Sequence, residues 1–139
     1  MLKFLDTPNF NAMQRNLDIV SQRMILTSQN ISNINTPHYK AKKLEFENLL
    51  FEKMEKINKS YALQMRYSGP DKKEKLQKYL EVKPVVVTDN STETRVDGNN
   101  VSIDHENLEL AKLQIQFNYM VRKITDEYNL LKHAITEGR

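Results

Sequence analysis

The sequence predicts a mainly α-helical protein in which two long terminal helices form a coiled-coil hairpin, with a middle of loop, short helix and β-hairpin. Near each end of the 139-residue chain, apolar residues recur at alternating spacings of three and four. That pattern has a mean period of about 3.5 residues, which is the period of a coiled-coil seam. The composition agrees, since the chain has three Gly, no Trp and 28% charged residues. Such a balance favours long solvated helices over a compact sandwich or a nucleotide-binding fold.

The first helix is expected to begin near Thr7 and Pro8, with Asp6 or Thr7 as the N-cap and Pro8 in the first turn. Most residues between the apolar positions are polar or charged, so the apolar surface is a narrow stripe. Thr27 interrupts this stripe. The predicted N-terminal assembly seam comprises Phe10, Met13, Leu17, Val20, Met24 and Ile31.

A sharp corner is predicted after this helix, where residues 30–46 read N-I-S-N-I-N-T-P-H-Y-K-A-K-K-L-E-F. Pro37 lacks a backbone N–H and disfavours a helical conformation at Thr36, so the helix should stop before it. Asn side chains hydrogen-bond nearby backbone and tolerate left-handed conformations, which suits a helix end. The predicted corner motif comprises Asn30, Asn33, Thr36, Pro37, Tyr39 and Lys40.

The chain is expected to divide into three parts. Residues 1–40 and 101–139 form the inner helical layer, and residues 41–100 form a partly irregular insertion between them. Within the insertion, apolar residues spaced through 46–57 fit a short amphipathic helix. Residues 61–67 alternate loosely between polar and apolar side chains, as a strand does.

The second half of the insertion contains turn and strand signals. Residues 68–71 read S-G-P-D, a turn signal, and residues 71–78 are a charged run expected to be a loop or a frayed helix. The β-branched residues of 79–88 predict a strand, which Pro84 restricts to a sheet edge. Residues 89–100 are turn-rich. The predicted turn before the last helix comprises Asp97, Gly98, Asn99 and Asn100.

The last helix is predicted to be the longest element, about 45–50 Å at 1.5 Å per residue. Ser102 or Asp104 can cap its start, and Gly138 stands just past its end. A second apolar row widens its apolar face, which favours contact with more than one neighbour. That row comprises Leu108, Ile115, Val121, Tyr128 and Ile135. The predicted C-terminal assembly seam comprises Ile103, Leu110, Leu113, Phe117, Met120, Ile124 and Leu131.

Residue patterns typical of catalysis or cofactor binding are not found in the sequence. The chain has no Cys, and its three His residues share no metal-ligand spacing. Gly-rich phosphate loops and hydrolase motifs are absent as well. Paired acids lie in charge-rich helical stretches, where a solvated surface is expected. We therefore expect a protein that is not an enzyme and needs no cofactor or metal.

The distribution of charge along the chain indicates whether a nucleic-acid or membrane surface is expected. Residues 40–83 hold twelve Lys or Arg against seven Asp or Glu, whereas residues 84–139 hold six against nine. Because the acids interleave with the Lys runs and no aromatic residue lies within those runs, a solvated surface is favoured over a nucleic-acid site. No apolar stretch is long enough for a transmembrane helix, and the N-terminus lacks the features of a cleavable signal.

Two classes of function remain open on this pattern. The two seams could bury each other within one chain, but a two-helix pair covers each seam only in part. The remaining apolar face points to self-association in a structural polymer. The alternative is a soluble coiled-coil adaptor that binds one partner or an anionic surface.

A family resemblance favours the first class. The N-I-S-N-I-N-T-P-H-Y-K of residues 30–40 resembles the A-N-x-A-N-x-x-T-P-G-Y-K signature of bacterial flagellar axial proteins, the family of rod and hook subunits. The K-K-L-E-F of 42–46, the D-G-N-N-V of 97–101 and the chain end, 117–135, are similar to those of the small proximal-rod subunits. The resemblance covers both termini, about half of the chain.

The resemblance implies a structural subunit of the flagellar basal body that polymerises through its terminal helices as the rod crossing the periplasm. Such subunits transmit torque from the motor to the hook and filament. They are exported unfolded through the flagellar type III export apparatus, without a cleaved signal. The implied partners are other copies of the chain, other rod proteins and the membrane-ring adaptor at the rod base.

One departure from the signature concerns the corner. The family has Gly where this chain has His38, so a turn that needs a positive φ there becomes costly. A type I turn with Pro37 at its second position is the easier geometry.

Overall fold

The computed structural model describes residues 8–64, 72–90 and 95–137. It is mainly helical, with one long helix near each end of the chain and a two-stranded antiparallel sheet between them, which confirms the predicted fold class. The elements in chain order are α1 (Pro8–Ser32), β1 (Lys42–Glu45), α2 (Glu47–Gln64), α3 (Lys72–Glu81), β2 (Val85–Thr88) and α4 (Ile103–Glu137).

The terminal helices α1 and α4 pack against each other as an antiparallel pair. Asn30, near the end of α1, hydrogen-bonds to Glu106 in the first turns of α4. Farther along, Met24 lines the same groove as Phe117, and Val20 lines another together with Met120. Because α1 has 25 residues and α4 has 35, the last turns of α4 extend beyond the described start of α1.

The small sheet joins two segments that are distant in the sequence. Lys42 pairs with Thr88 and Glu45 with Val85, and both α2 and α3 lie between the strands in chain order. The predicted strand over 79–88 is confirmed only for its second half, which starts directly after Pro84. The sequence pattern did not identify β1, whose only buried residue is Leu44.

One prediction for the insertion is partly right and another is wrong. Of the loop or frayed helix expected over residues 71–78, the structure shows the helix, since α3 begins at Lys72 and runs to Glu81. Its Lys, Glu, Gln and Leu residues are good helix formers, and its C-terminal part packs on the core through Tyr79. The strand expected over 61–67 is replaced by helix as far as Gln64, because a few alternating residues also fit a helix.

Several predicted features lie outside the described residues: Asp6 and Thr7, residues 65–71 and residues 91–94, and Gly138.

The hydrophobic core of the single chain lies beside α1, on a different side from α4. Its buried members come from α1, β1 and the segments just after β1 and α3; they are Ile19, Leu44, Phe46 and Val82. The rings of Phe46 and Tyr79 meet edge to face, with centroids 5.5 Å apart. Arg15 stacks over the Phe46 ring and donates a hydrogen bond to the Val82 carbonyl. One helix, α1, therefore serves two interfaces.

Phe46→Ala should lower the free energy of unfolding by about 3–5 kcal/mol, because Phe46 is buried and its removal leaves a cavity under Tyr79. Urea denaturation followed by circular dichroism measures this loss. Phe51→Ala is the matched control, since Phe51 is 69% exposed and should change stability by less than about 0.5 kcal/mol. Equal losses at both positions would contradict this location of the core.

Candidate functional site: the corner and the helical seams

Asn30 joins four segments of the chain at the corner. Its side chain is 1% exposed, and its Nδ2 donates to the Lys42 carbonyl at 3.0 Å and to Glu106 Oε2 at 3.2 Å. Its Oδ1 accepts from the Lys42 N–H at 2.9 Å and from the Tyr39 hydroxyl at 3.2 Å. An amide can do this because it is both donor and acceptor. The end of α1, the turn that contains Tyr39, the start of β1 and the start of α4 are thereby fixed together.

Asn99 fixes the turn that follows α1. It is fully buried, and its Nδ2 donates to the carbonyls of Asn33, Ile34 and Thr36 at 3.1, 3.1 and 2.9 Å. Since the amide has two N–H groups, one of them is shared between two carbonyls. Its Oδ1 accepts from the Val101 N–H at 2.7 Å. Backbone carbonyls at the end of a helix have no partner within the helix. Here the carbonyls just after α1 accept hydrogen bonds from a side chain that precedes α4.

Asn100 continues the sheet where its strands stop. The Ala41 N–H donates to Asn100 Oδ1 at 2.7 Å, and Asn100 Nδ2 donates to the Asp89 carbonyl at 2.7 Å. The Asp89 N–H in turn donates to the Ala41 carbonyl at 2.7 Å. The predicted turn before the last helix therefore closes both the sheet and the corner.

The turn at Pro37 differs from the expected type I geometry, and that expectation is wrong. His38 has a φ of 61°, and the Tyr39 N–H donates to the Thr36 carbonyl at 3.3 Å. With proline before it, a positive φ at the third position is the signature of a type II turn. The conformation is held because the His38 N–H donates to the Asp97 carbonyl at 3.0 Å.

Arg95 is a corner residue that the sequence pattern missed. Its guanidinium donates to the Ile34 carbonyl at 3.0 Å and pairs with Asp97 at 3.1 Å. The sequence feature that could have identified Arg95 is its position two residues before the predicted turn at Asp97. Gly98, with a φ of 76°, gives the left-handed conformation that this second turn needs.

Burial and local pairing shift the pKa values of side chains at the corner and elsewhere in the chain. Burial, and then the nearby Glu106 carboxylate, raise the pKa of the Tyr39 hydroxyl, which therefore stays a donor to Asn30. Burial likewise raises the pKa of Tyr79. Burial alone would raise the pKa of Glu47, but its hydrogen bond and charge interaction with Arg23 outweigh this, so that pKa is lowered. A hydrogen bond from Lys112, 2.6 Å away, lowers the pKa of Glu109.

The predicted seam residues lie mainly on the faces where α1 and α4 meet. Val20 and Leu113 are buried, and every other predicted seam residue except Ile103 is partly buried. Ile103, at the first position of α4, is 41% exposed. Among the corner residues, Lys40 is partly buried and Pro37 is exposed at the turn.

The second apolar row of α4 is exposed throughout. Ile115 is 71% exposed, and the other four members are between 40% and 58% exposed. At about 100° per residue, Leu108 and Ile115 lie on the side of α4 opposite Leu113, whereas Val121, Tyr128 and Ile135 lie on one flank of the α1–α4 pair. The row therefore forms two exposed patches, and no described residue of the chain covers either of them.

A polar cavity of about 390 Å³ lies between α1, β1 and α4, with Asn30 and Glu106 in its wall. Three cations on its lining are already paired with carboxylates: Arg23 with Glu47, Lys43 with Asp89 and Lys112 with Glu109. This pairing agrees with the solvated surface expected from the interleaved charges.

The described part of the chain shows no group of three or more His, Asp or Glu residues arranged to hold a metal ion. Within residues 8–64, 72–90 and 95–137, the helices also lack the combined length and apolar content of a membrane span.

Comparison with known proteins identifies the family. The chain is 33% identical over 120 residues to the flagellar basal body rod protein FlgB of Bacillus subtilis, covering 86% of this chain and 85% of that protein. It is 35% identical to FlgB of Borreliella burgdorferi over 76% of this chain and 79% of that protein. The chain belongs to the FlgB family of flagellar basal body rod proteins. No family model matches the sequence.

A third relative extends the match across almost all of the chain. FlgB of Buchnera aphidicola is 29% identical over 126 residues, covering 91% of this chain and 92% of that protein. Membership in the FlgB family confirms the resemblance found at the two termini. It makes the chain a structural component of the flagellar basal-body rod and not an enzyme.

Asn99→Ala should cost about 1–3 kcal/mol in the free energy of unfolding, because three carbonyls and the Val101 N–H lose their buried partner. Asn99→Asp should cost more, since a carboxylate would face carbonyl oxygens. Asn35→Ala is the control at the same corner, because Asn35 is exposed. Urea denaturation measures all three, and equal losses at Asn99 and Asn35 would contradict the corner network.

His38→Gly should leave stability unchanged or raise it by up to about 1 kcal/mol, because Gly adopts a positive φ without the cost that an L-residue bears. His38→Val should destabilise, since a β-branched residue fits this conformation poorly. Pro37→Gly should cost about 0.4–1 kcal/mol by freeing the unfolded chain. Thermal unfolding compares the three variants, and a more stable His38→Val would refute the left-handed turn.

Proposed function

We propose that the chain polymerises through its terminal helices as the proximal part of the rod and transmits torque from the motor to the hook and filament. The observation that carries this proposal is the exposed apolar surface of α4. Leu108, Ile115, Tyr119 and Leu130 are each between 55% and 71% exposed. Burying a side chain of this kind contributes roughly 1.5–3 kcal/mol, and in a polymer every copy gains that contribution. A second copy is therefore the partner that this surface suits.

A torque-bearing subunit needs a fixed angle between its helical layer and the rest of the chain. The corner supplies one, because Asn30 and Asn99 are buried and hydrogen-bonded on both sides. Twisting β1 away from α4 would break several of these bonds at once. Since an unpaired buried polar group costs about 1–3 kcal/mol, the corner resists such twisting.

The further partners we propose are the other rod proteins above this subunit and the membrane-ring adaptor at the rod base. The chain would reach the periplasm through the flagellar type III export apparatus. Family membership supports these assignments. The chain has no Cys and is therefore compatible with a reducing or an oxidising compartment.

Phe117→Asp should abolish assembly and motility while the protein is still expressed. Phe117 is partly buried beside Met24 and Leu110, and a carboxylate there would be desolvated against apolar side chains. Motility in soft agar and the protein content of isolated basal bodies measure the effect.

Gln116→Asp is the matched control, because it places the same charge on the neighbouring exposed position of α4, away from the groove that Phe117 lines. It should swim normally. Circular dichroism of the purified Phe117→Asp chain separates lost assembly from lost folding, and Phe117→Leu should restore motility. Normal swimming of Phe117→Asp would overturn the role of the seam. An adaptor would instead be found as a small oligomer outside the basal body.

A further inference from the structure

The exposed back of α4 carries a ridge with alternating large and small residues. Leu108, Ala111 and Ile115 are all exposed, and the two large residues are 55% and 71% exposed. At about 100° per residue, the three lie 140–160° round the helix from Leu113, which faces α1. The ridge therefore lies on the side of α4 that has no partner within the described chain.

One flank of the α1–α4 pair carries a groove. Its volume is about 480 Å³, and α1 lines one wall with Ser21, Met24, Ile25 and Ser28. Leu110 and Phe117 of α4 contribute to the other wall. Ile25 is 55% exposed and stands between the two small serines. The side chains along the α1 wall of the groove thus alternate in size, from small to large to small.

The two patterns are complementary in size and in spacing. From Leu108 the ridge steps three residues to Ala111 and four to Ile115. Read backwards, the α1 wall steps three residues from Ser28 to Ile25 and four to Ser21. We propose that the ridge of one copy packs antiparallel into the groove of the next, with Leu108 at Ser28, Ile25 at Ala111 and Ile115 at Ser21. In each of these three pairs a large side chain packs against a small one, as in knobs-into-holes packing.

This contact sets the orientation of neighbouring copies. Within one chain α1 and α4 are antiparallel, so an antiparallel contact between α4 of one copy and α1 of the next makes the two copies point the same way. Ridge and groove lie on different faces, and each copy therefore offers both. Such a heterologous contact generates a ring or an open helical polymer, not a closed dimer. The inference rests on the proposed polymerisation and adds which surfaces meet.

Cysteine cross-linking tests the register, and the chain has no native Cys to interfere. Ser28→Cys with Leu108→Cys, and separately Ser21→Cys with Ile115→Cys, should give disulfide-linked ladders in oxidised basal bodies isolated from cells that carry the variant. A disulfide needs Cα atoms about 4.4–6.8 Å apart. The swapped pair, Ser28→Cys with Ile115→Cys, is displaced by seven residues, about 10.5 Å, and should give no ladder.

The outcomes separate this inference from the proposed function. Ladders from both matched pairs, with none from the swapped pair or the single variants, support the register. Basal bodies that contain the variant chains but give no ladder from the matched pairs would overturn the ridge and groove while leaving the rod function intact. A ladder from the swapped pair equal to the others would also overturn the register. Absence of the unsubstituted chain from basal bodies would overturn both proposals.

Discussion

The structure depends on the closure between the end of α1 and the start of α4 by two buried asparagine side chains. Asn30 and Asn99 are 1% and 0% exposed, and both donate and accept hydrogen bonds. An ionised aspartate could not donate, and an apolar residue at either position would remove buried hydrogen bonds to the backbone. Because buried polar groups are costly when unpaired, this network favours the observed arrangement of the two helices and β1.

This closure decides how the apolar surface of the chain is divided. With β1 fixed against α1, the residues Ile19, Leu44 and Phe46 form a core on one side of α1. The next side of α1 packs against α4, where Val20 and Leu113 are buried. The core and α4 together cover most of the surface of α1. On α4, Leu108 and Ile115 remain exposed to solvent. The described residues therefore leave this apolar surface of α4 uncovered.

The sequence predicted the terminal helices and most of their seam because a period of 3.5 residues persists over many turns. It did not reveal β1, since four residues with one buried Leu44 carry no period of their own. Pro37 and the asparagines indicated a corner, but the pairing of Asn99 with the turn after α1 joins residues more than sixty positions apart. Contacts of this kind depend on the folded topology, which local patterns do not encode. Glu106 was not among the predicted site residues, although its carboxylate accepts a hydrogen bond from Asn30.

The left-handed His38 shows why the corner acts as a rigid unit. A non-glycine residue at a φ of 61° costs roughly 1–2 kcal/mol, so a flexible turn would relax to another conformation. Here the His38 N–H is held by the Asp97 carbonyl, and the Thr36 carbonyl is held by Asn99. Relaxing the turn would break bonds worth more than the strain it relieves. The corner therefore keeps one angle between the helical pair and the start of β1.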